Sequence, residues 1–213
     1  MALVTIRPAL ATDLPQIVSL DIQANANHPI IAIPWKQYSH AYGVFLSRHL
    51  HFLNHPKEYQ FLVATSPSAS KPGEEEILGF LTGAKPKSAI EGEPGVEWKP
   101  ILPEGTNEKL FGYFLGALIG TKAKYKIGDV WELETLSISV DHQRKGVGSK
   151  LMEEWFKTVD ADGRGVYILA SKMGRGLYEK FGCKEVGLLA TDLKDFGLEE
   201  PYVNFSMMRE GRK

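Results

Sequence analysis

The sequence predicts a mixed α/β domain built on one central sheet, and two patterns carry this prediction. A β-rich segment at 129–140, an amphipathic segment at 146–159 and a short apolar segment at 165–170 form a strand–helix–strand unit, which favours a parallel pair of strands. The segments 58–66 and 77–84, separated by a polar stretch of turn-forming residues, predict a hairpin with a long tip. A sheet that joins a parallel pair to antiparallel hairpins is mixed, and we expect helices packed against it.

The N-terminal part supplies one strand and two helices. The β-rich residues 3–7 predict the first strand. A helix follows, because Thr12 or Asp13 can cap its start and Pro15 suits its first turn. Apolar residues at helical spacing predict a second helix at about 38–53, just before the hairpin.

The middle and the end of the chain complete the set of elements. Four prolines and several glycines predict a long loop at 85–106, and Asn107 can cap a helix behind it. We interpret 85–127 as an insertion within a single domain that spans residues 1–213. Near the end of the chain, Gly182 is placed to terminate a short helix, and two apolar segments after it predict a final pair of strands.

Composition excludes several classes of function. With 43% hydrophobic residues in a chain of 213, there is enough apolar material for a core, and the net charge of −1 gives no bulk attraction to nucleic acid or anionic membranes. Cys183 is the single cysteine, which excludes an internal disulfide and fits a reducing compartment. The start of the chain lacks the pattern of a signal peptide, and the longest apolar stretch, 110–120, is too short for a membrane span. We therefore expect a soluble cytoplasmic protein, with the nucleus as the open alternative.

The strand-to-helix turn in the middle of the chain has the chemistry of an anion site. Gly146 and Gly148 let an anion approach the backbone, while Arg144 and Lys145 add positive charge. The first N–H groups of a helix have no internal partner and lie at the positive end of the helix dipole. Phosphate or pyrophosphate fits such a turn. The Walker A pattern is absent, and Leu151 stands where the dinucleotide fingerprint needs a third glycine.

The spacing Gln143-x-x-Gly146-x-Gly148 resembles the Q/R-x-x-G-x-G/A signature of the GNAT superfamily of acetyl-CoA-dependent N-acyltransferases. Further along, "VYILASKMGRGLYEKFGCKEVG" resembles the family's closing segment of the acetyl-CoA site. The resemblance covers about 130–190, is loose before residue 84 and is absent over 85–127, and within the family it points to fungal proteins of unassigned substrate. It implies the GNAT fold, which has a central, mostly antiparallel sheet with a splayed parallel strand pair and flanking helices.

The resemblance also implies acetyl-CoA as the cosubstrate and assigns the residues that hold it. Residues of the turn would bind the pyrophosphate, mainly through their amides: Gln143, Arg144, Lys145, Gly146, Val147, Gly148 and Ser149. The splayed strand would bind pantetheine and the acetyl carbonyl through backbone groups of Leu136, Ser137 and Ile138. Ser171 is a further candidate for a contact with CoA, and a plain helix cap is the equal alternative for it.

Direct transfer of acetyl to an amine needs a base and an acid. An ordinary lysine amine has a pKa of about 10.4 and must lose a proton, which a carboxylate can accept. Glu132 and Glu134 lie two residues apart in the strand, and we expect both on one face together with Leu136 and Ile138. By the resemblance, Glu132 stands where the histone-modifying branch has its base, whereas Glu134 lies closer to the thioester and is our preferred base. Tyr178 matches the tyrosine whose hydroxyl reaches the CoA sulfur, and a purely structural tyrosine is the alternative. An ion pair with lysine or arginine is the alternative role for either glutamate.

The function expected from these observations is N-acetyl transfer from acetyl-CoA to a primary amine, by direct attack in a ternary complex. The acceptor is a small-molecule amine or an amine of a peptide or protein, and the sequence leaves its identity open. A non-catalytic acyl-CoA-binding sensor or interaction module is the alternative, and a nucleotide-binding protein is disfavoured by the missing phosphate-loop patterns. We expect no metal, because His49, His51 and His55 lack acidic partners at ligand spacing. Oligomeric state is left open, although a homodimer is common for this fold.

Overall fold

The computed structural model describes residues 3–29, 38–68, 70–90, 98–125 and 129–212, with side chains in the second helix described from residue 41. Its strands are β1 (Thr5–Pro8), β2 (Tyr59–Pro67), β3 (Glu75–Ala84), β4 (Trp131–Ile138), β5 (Val166–Ser171), β6 (Lys184–Thr191) and β7 (Tyr202–Arg209). Its helices are α1 (Leu14–Ala24), α2 (Tyr38–Asn54), α3 (Glu108–Lys124), α4 (Val147–Asp162) and α5 (Arg175–Lys180).

The seven strands form one sheet in the order β1-β2-β3-β4-β5-β7-β6. Neighbouring strands are antiparallel except for β4 and β5, which are parallel and joined through α4. The predicted mixed sheet is therefore confirmed. The predicted strands and helices also occur in their predicted order.

Helix α3 lies within the segment 85–127, of which residues 91–97, 126 and 127 lie outside the described part of the chain. It begins as the sequence predicts, since Oδ1 of Asn107 accepts a 3.1 Å hydrogen bond from the backbone N–H of Leu110. The helix buries Leu110, Phe114 and Thr121 and leaves most of its surface exposed. No helix in the described ranges is long and apolar enough to span a bilayer.

Helix α4 packs on one face of the sheet and forms the larger core there. Its buried residues recur at helical spacing: Val147, Leu151, Met152, Trp155, Phe156 and Val159. They meet Trp131 and Leu133 of β4 in one cluster. Gly83 of β3 makes room for this helix, because a Cβ there would collide with the indole of Trp155. Burial of each large apolar side chain contributes about 1.5–3 kcal/mol, so this face holds much of the folding energy.

Helices α1 and α2 cover the opposite face. Ile17 and Leu20 of α1 pack with Phe61, Val63 and Phe80 of the hairpin. A further cluster joins α1 to α2 through buried aliphatic side chains. The sheet is thus enclosed by α4 on one face and by α1 and α2 on the other, with the middle strand β4 between them.

A β-bulge in β4 changes which side chains share a face. Thr82 pairs with Thr135 and Gly83 pairs with Leu133, so Glu134 is an extra residue in β4. A bulge shifts the alternation of side chains beyond it. Leu136 and Ile138 consequently pack with the α4 cluster, whereas Glu134 contacts Arg48 of α2. The prediction that the two glutamates share a face with Leu136 and Ile138 is therefore wrong.

Candidate functional site

The parallel strands β4 and β5 separate after three paired positions. Trp131 pairs with Val166, Glu132 with Tyr167 and Leu133 with Ile168. Beyond these residues β4 continues to pair with β3, and β5 pairs with β7. The two strands therefore open into a V-shaped gap that is lined by the backbone of residues 134–138 on one side and 169–171 on the other.

Backbone groups of β4 point into this gap at alternate positions. The N–H of Ser139 donates to the C=O of Leu78 in β3 at 2.9 Å. Because N–H and C=O groups alternate sides along a strand, those of Leu136 and Ile138 point into the gap and those of Ser137 point to β3. The side-chain amide of Gln143 donates to the C=O of Ile138 at 3.2 Å. Leu136 thus presents both its N–H and its C=O to a ligand in the gap, whereas the C=O of Ile138 is already bonded to Gln143.

The turn between β4 and α4 owes its shape to two residues in the left-handed region. Arg144 has φ 61° and Gly146 has φ 84°. A Cβ at Gly146 would meet nothing within 4 Å, so glycine is favoured there by backbone conformation. A Cβ at Gly148 would lie 3.2 Å from Cδ2 of Leu177, so glycine there lets α5 pack against the first turn of α4. These two structural reasons stand beside the access for an anion that the sequence predicts.

The start of α4 is open and electropositive. Gly146 occupies the N-cap position, and no side chain in the described part of the protein caps the helix. The amides of Val147, Gly148 and Ser149 belong to the first turn, where helical geometry provides no acceptor. Arg144 and Lys145 are exposed beside them. Helix dipole, free amides and two cations together suit a phosphate or pyrophosphate group.

Ser171 and Tyr178 lie across the gap from β4. A Cβ at Gly174 would be 3.4 Å from both the Ser171 Oγ and the Tyr178 hydroxyl, so the two hydroxyl groups lie close to one point. Oγ of Ser171 accepts a 3.2 Å hydrogen bond from the N–H of Gly174, the N-cap residue of α5, so Ser171 orders the turn before this helix and does not itself occupy the cap position. Burial, with a smaller effect of Cys183, raises the pKa of Tyr178 well above its ordinary value. The Tyr178 hydroxyl therefore keeps its proton at neutral pH.

Glu132 and Glu134 form an ionic cluster with Lys122 of α3 and Arg48 of α2. The Lys122 ammonium contacts Oε1 of Glu132 and lies 3.4 Å from Oε1 of Glu134, while Nη2 of Arg48 lies 3.1 Å from Oε2 of Glu134. Burial, together with the charge of Glu134, raises the pKa of Glu132 to about 7, against the opposing effect of Lys122. For Glu134, burial also opposes ionisation, but Lys122 and Arg48 outweigh it and lower its pKa. One carboxylate is thus held ionised, and the other titrates near neutrality.

The sequence reasoning did not find Lys122 or Arg48 as parts of this cluster. Lys122 is 12 residues from Glu134 and Arg48 is 86 residues away. Neither cation belongs to a motif, and only the packing of α2 and α3 over the same face brings them together. The ion pair that the sequence allowed as an alternative for the glutamates is therefore present.

A second polar network lies behind β4 and was also missed. Asp21 of α1 accepts hydrogen bonds from the Ser137 hydroxyl at 2.6 Å and from the Asn25 amide at 2.9 Å. Its other oxygen lies 3.0 Å from Nε2 of His49, which is fully buried in α2. The side chain of Ser137 is thus turned away from the gap. Among the described residues, no three side chains of His, Cys, Asp or Glu gather in a way that could hold a metal ion.

Comparison with known proteins shows what part of the chain is similar to a known family. The sequence model described as "Acetyltransferase (GNAT) domain" matches residues 107–185. This match begins inside the segment 85–127, where the sequence alone showed no resemblance, and it includes α3, β4, the anion-binding turn and Tyr178. No curated protein matches the chain.

Solved structures share the fold over the whole chain. One is the crystal structure of histone acetyltransferase HPA2 and related acetyltransferase from Corynebacterium glutamicum (21% identity, TM-score 0.63, covering 100% of this chain and 98% of that one). A mosquito arylalkylamine N-acetyltransferase like 5b has 17% identity and a TM-score of 0.63, covering 98% and 100%. PaiA N-acetyltransferase from Thermoplasma acidophilum, in complex with coenzyme A, has 15% identity and a TM-score of 0.55, covering 98% and 99%.

These matches confirm the resemblance that the motif indicates. Residues 107–185 are similar to GNAT acetyltransferase domains, and the sheet described here, with its splayed parallel pair, has the GNAT fold. Acetyl transfer is the chemistry that this class of protein supports. At sequence identities near 20%, similarity to a solved structure shows the fold alone. The identity of the acceptor is therefore not inferred from any of these relatives.

Proposed function

We propose that the protein is an N-acetyltransferase that moves the acetyl group of acetyl-CoA to a primary amine by direct attack in a ternary complex. The observation that carries the proposal is the gap between β4 and β5, which exposes the backbone of Leu136 beside an uncapped helix N-terminus. One ligand that joins a thioester to a pyrophosphate through a pantetheine arm would use both features at once. The chain 1–213 would act as one domain, in which the segment 85–127 supplies α3.

The described residues fit acetyl-CoA in chemical terms. The pyrophosphate would lie on the turn formed by residues 143–149, where amides and the Arg144 and Lys145 side chains provide donors and positive charge. The pantetheine arm would extend along β4 and bind the N–H and C=O of Leu136. Acetyl-CoA supplies the activated acetyl group, and the protein holds the thioester carbonyl against the backbone.

The proton transfers are assigned by the electrostatics of the cluster. The acceptor nitrogen attacks the thioester carbonyl, a C–N bond forms, and the C–S bond breaks. Glu132 would take the proton from the amine, directly or through a water, because its pKa of about 7 suits a base at neutral pH. Tyr178, which stays protonated, would donate a proton to the departing sulfur.

This assignment exchanges the roles that the sequence favours for the two glutamates. From the sequence, Glu134 is preferred because it lies closer to the thioester. In the structure Glu134 is bound by two cations and its pKa is lowered, which makes it a weak base. Its negative charge instead raises the pKa of Glu132. We therefore assign proton transfer to Glu132 and electrostatic support to Glu134.

Calorimetric titration of acetyl-CoA tests the proposal. We expect saturable binding to the wild-type protein, no comparable binding of ATP, and loss of acetyl-CoA binding in Gly146→Glu. Gly73→Glu is the matched control, because Gly73 also has a positive φ (87°) with open space around it, but lies in the β2–β3 hairpin. Equal binding by both variants would contradict the placement of the pyrophosphate.

Release of free CoA in the presence of amines then separates an enzyme from a binding module. We would supply small alkylamines, arylalkylamines, polyamines and peptides in turn and measure thiol formation. Amine-dependent thiol release supports the acetyltransferase. Acetyl-CoA binding without thiol release for every class of amine would favour the sensor or interaction module.

A further inference from the structure

The two glutamates of β4 form a site for a single ammonium group. Their side chains are 15% and 18% exposed, so both carboxylates are largely removed from water. Between them lies one ammonium, that of Lys122, which reaches an oxygen of each. Two ionised carboxylates this close and this deep repel each other, and the Lys122 ammonium between them offsets that repulsion.

The contacts of the second cation, Arg48, show which of the two cations a bound ammonium would replace. Of the two glutamates, Arg48 contacts Glu134, on the oxygen opposite to the one that faces Lys122, and its guanidinium also lies over the Phe52 ring at 5.1 Å. Arg48 is therefore fixed at the outer side of the pair. Among the described side chains, Lys122 alone bridges both carboxylates, on a flexible stem with three N–H donors.

The turn of α3 that carries Lys122 buries little, and Tyr125, just after the helix, attaches this end to β6 by donating to the C=O of Val186 at 3.3 Å. Among the described residues of its last two turns, only Thr121 is buried, and Thr121 bonds within its own helix, to the C=O of Ala117. Ile119 is 58% exposed, and a Cβ at Gly120 would meet nothing within 4 Å. The lysine side chain can leave the carboxylates without breaking a packed core.

We propose that Lys122 is an internal substitute for the ammonium of the acceptor: it fills a primary-ammonium subsite made by Glu132 and Glu134, and the acceptor displaces it when it binds. The subsite would accept a slender R–NH₃⁺ group, because it must replace a lysine head with three donors. A quaternary ammonium has no N–H to give and is excluded. That the displacing group is the acetyl acceptor rests on the proposed function, whereas the ammonium subsite itself does not.

Chemical rescue of Lys122→Ala tests the subsite without any need for turnover. We would measure the melting temperature of the full chain with n-propylammonium chloride, with tetramethylammonium chloride and with sodium chloride, all at equal ionic strength. We expect Lys122→Ala to melt below the wild type and to be raised by about 3 °C or more when propylammonium is well above its Kd. Tetramethylammonium should have no more effect than sodium, and the wild type should respond equally to all three salts.

Lys124→Ala is the matched control, since Lys124 lies on the same turn, is exposed, and contacts only the Tyr125 ring at 5.2 Å among the described residues. It should respond like the wild type. Equal effects of propylammonium and tetramethylammonium on Lys122→Ala would overturn the proposal. If Lys122→Ala does not fold in sodium chloride, the same comparison is made on refolding yield, where only propylammonium should restore the folded protein.

The outcome is separable from that of the proposed function. Rescue without acetyl transfer would support the ammonium subsite and contradict the acetyltransferase assignment. Acetyl transfer by the wild type, without selective rescue of Lys122→Ala by propylammonium, would support the acetyltransferase assignment. It would contradict the proposal that Lys122 substitutes for the acceptor ammonium. In an active enzyme, Lys122→Ala should also lower the KM for the amine several-fold, because the competing internal ammonium is gone.

Discussion

The hydroxyl of Ser137 donates a 2.6 Å hydrogen bond to Oδ1 of Asp21, across 116 residues of chain. This bond attaches α1 to the part of β4 that no longer pairs with β5. Asn25 and His49 complete the shell of Asp21, so one buried carboxylate joins α1, α2 and the splayed strand. The part of β4 that does not pair with β5 is thereby attached to α1 and α2, which cover the face of the sheet opposite to α4.

The first prediction concerns the stability that this network provides. Asp21→Ala would leave the proton of the Ser137 hydroxyl without its acceptor and Nε2 of His49 without its partner, while the Asn25 amide keeps the backbone C=O of residue 21 and Oγ of Ser137. Each buried polar group left unpaired costs about 1–3 kcal/mol, so we expect a loss of about 3 kcal/mol or more in the free energy of unfolding. Urea titration measures it, with the exposed Asp195→Ala as control. A change within about 0.5 kcal/mol, the ordinary range of surface substitutions, would show that the network carries no stability.

The second prediction is the pH dependence of acetyl transfer. Below its pKa of about 7, Glu132 is protonated and cannot accept the proton of the amine, so kcat/KM should fall as the pH drops through 7. Glu132→Gln should lower kcat/KM by about 10²–10⁴ and remove this acidic limb. Glu134→Gln removes the charge that raises the pKa of Glu132, so the limb should move to lower pH.

The same amine is used for each protein, so that titration of the amine itself is common to all profiles. Glu153→Gln, on the exposed side of α4, serves as the control and should leave the profile in place. A profile of Glu134→Gln that coincides with that of the wild type would show that the two carboxylates do not interact. Full activity of Glu132→Gln would return the base to Glu134, as the sequence favours.

The third prediction separates chemistry from binding at Tyr178. Its hydroxyl contacts the reacting sulfur in the proposed arrangement, while its ring is packed in the α4 core. Tyr178→Phe keeps the ring and should therefore lower kcat by about 10², the low end of the range for general acid catalysis, with little change in the KM for acetyl-CoA. Tyr113→Phe, on the exposed face of α3, is the control. An unchanged kcat would reduce Tyr178 to a packing residue.

The sequence predicts most of the fold because its elements are marked locally. β-rich segments, prolines, glycines and the Asn107 cap fix where the strands and helices begin and end, and these signals act over a few residues. The anion-binding turn is equally readable, since its glycines and cations lie within one short segment. What these local signals share is that they require no knowledge of what lies across the sheet.

The geometry around the glutamates could not be predicted in this way. The bulge at Glu134 arises from the register between β3 and β4, and pairing register is a property of two strands. The pKa values of the two carboxylates depend on Arg48 and Lys122, which arrive from helices that are remote or outside any motif. Alternation within one strand therefore placed the glutamates on the same face as Leu136 and Ile138, which the bulge prevents, and it carries no information on their pKa values.

The last prediction distinguishes the two glycines of the turn, which serve different structural purposes. Gly146→Ala introduces a side chain at φ 84°, which costs roughly 1–2 kcal/mol whatever its neighbours. Gly148→Ala has no such strain, but its Cβ presses on Leu177 at 3.2 Å, and so its cost depends on that side chain. In double-mutant cycles of urea unfolding, Leu177→Ala should offset part of the cost of Gly148→Ala and none of that of Gly146→Ala. Equal coupling of Leu177 to both glycines would mean that α5 rests on the whole turn, and additivity in both cycles would mean that Gly148 is present for the anion alone.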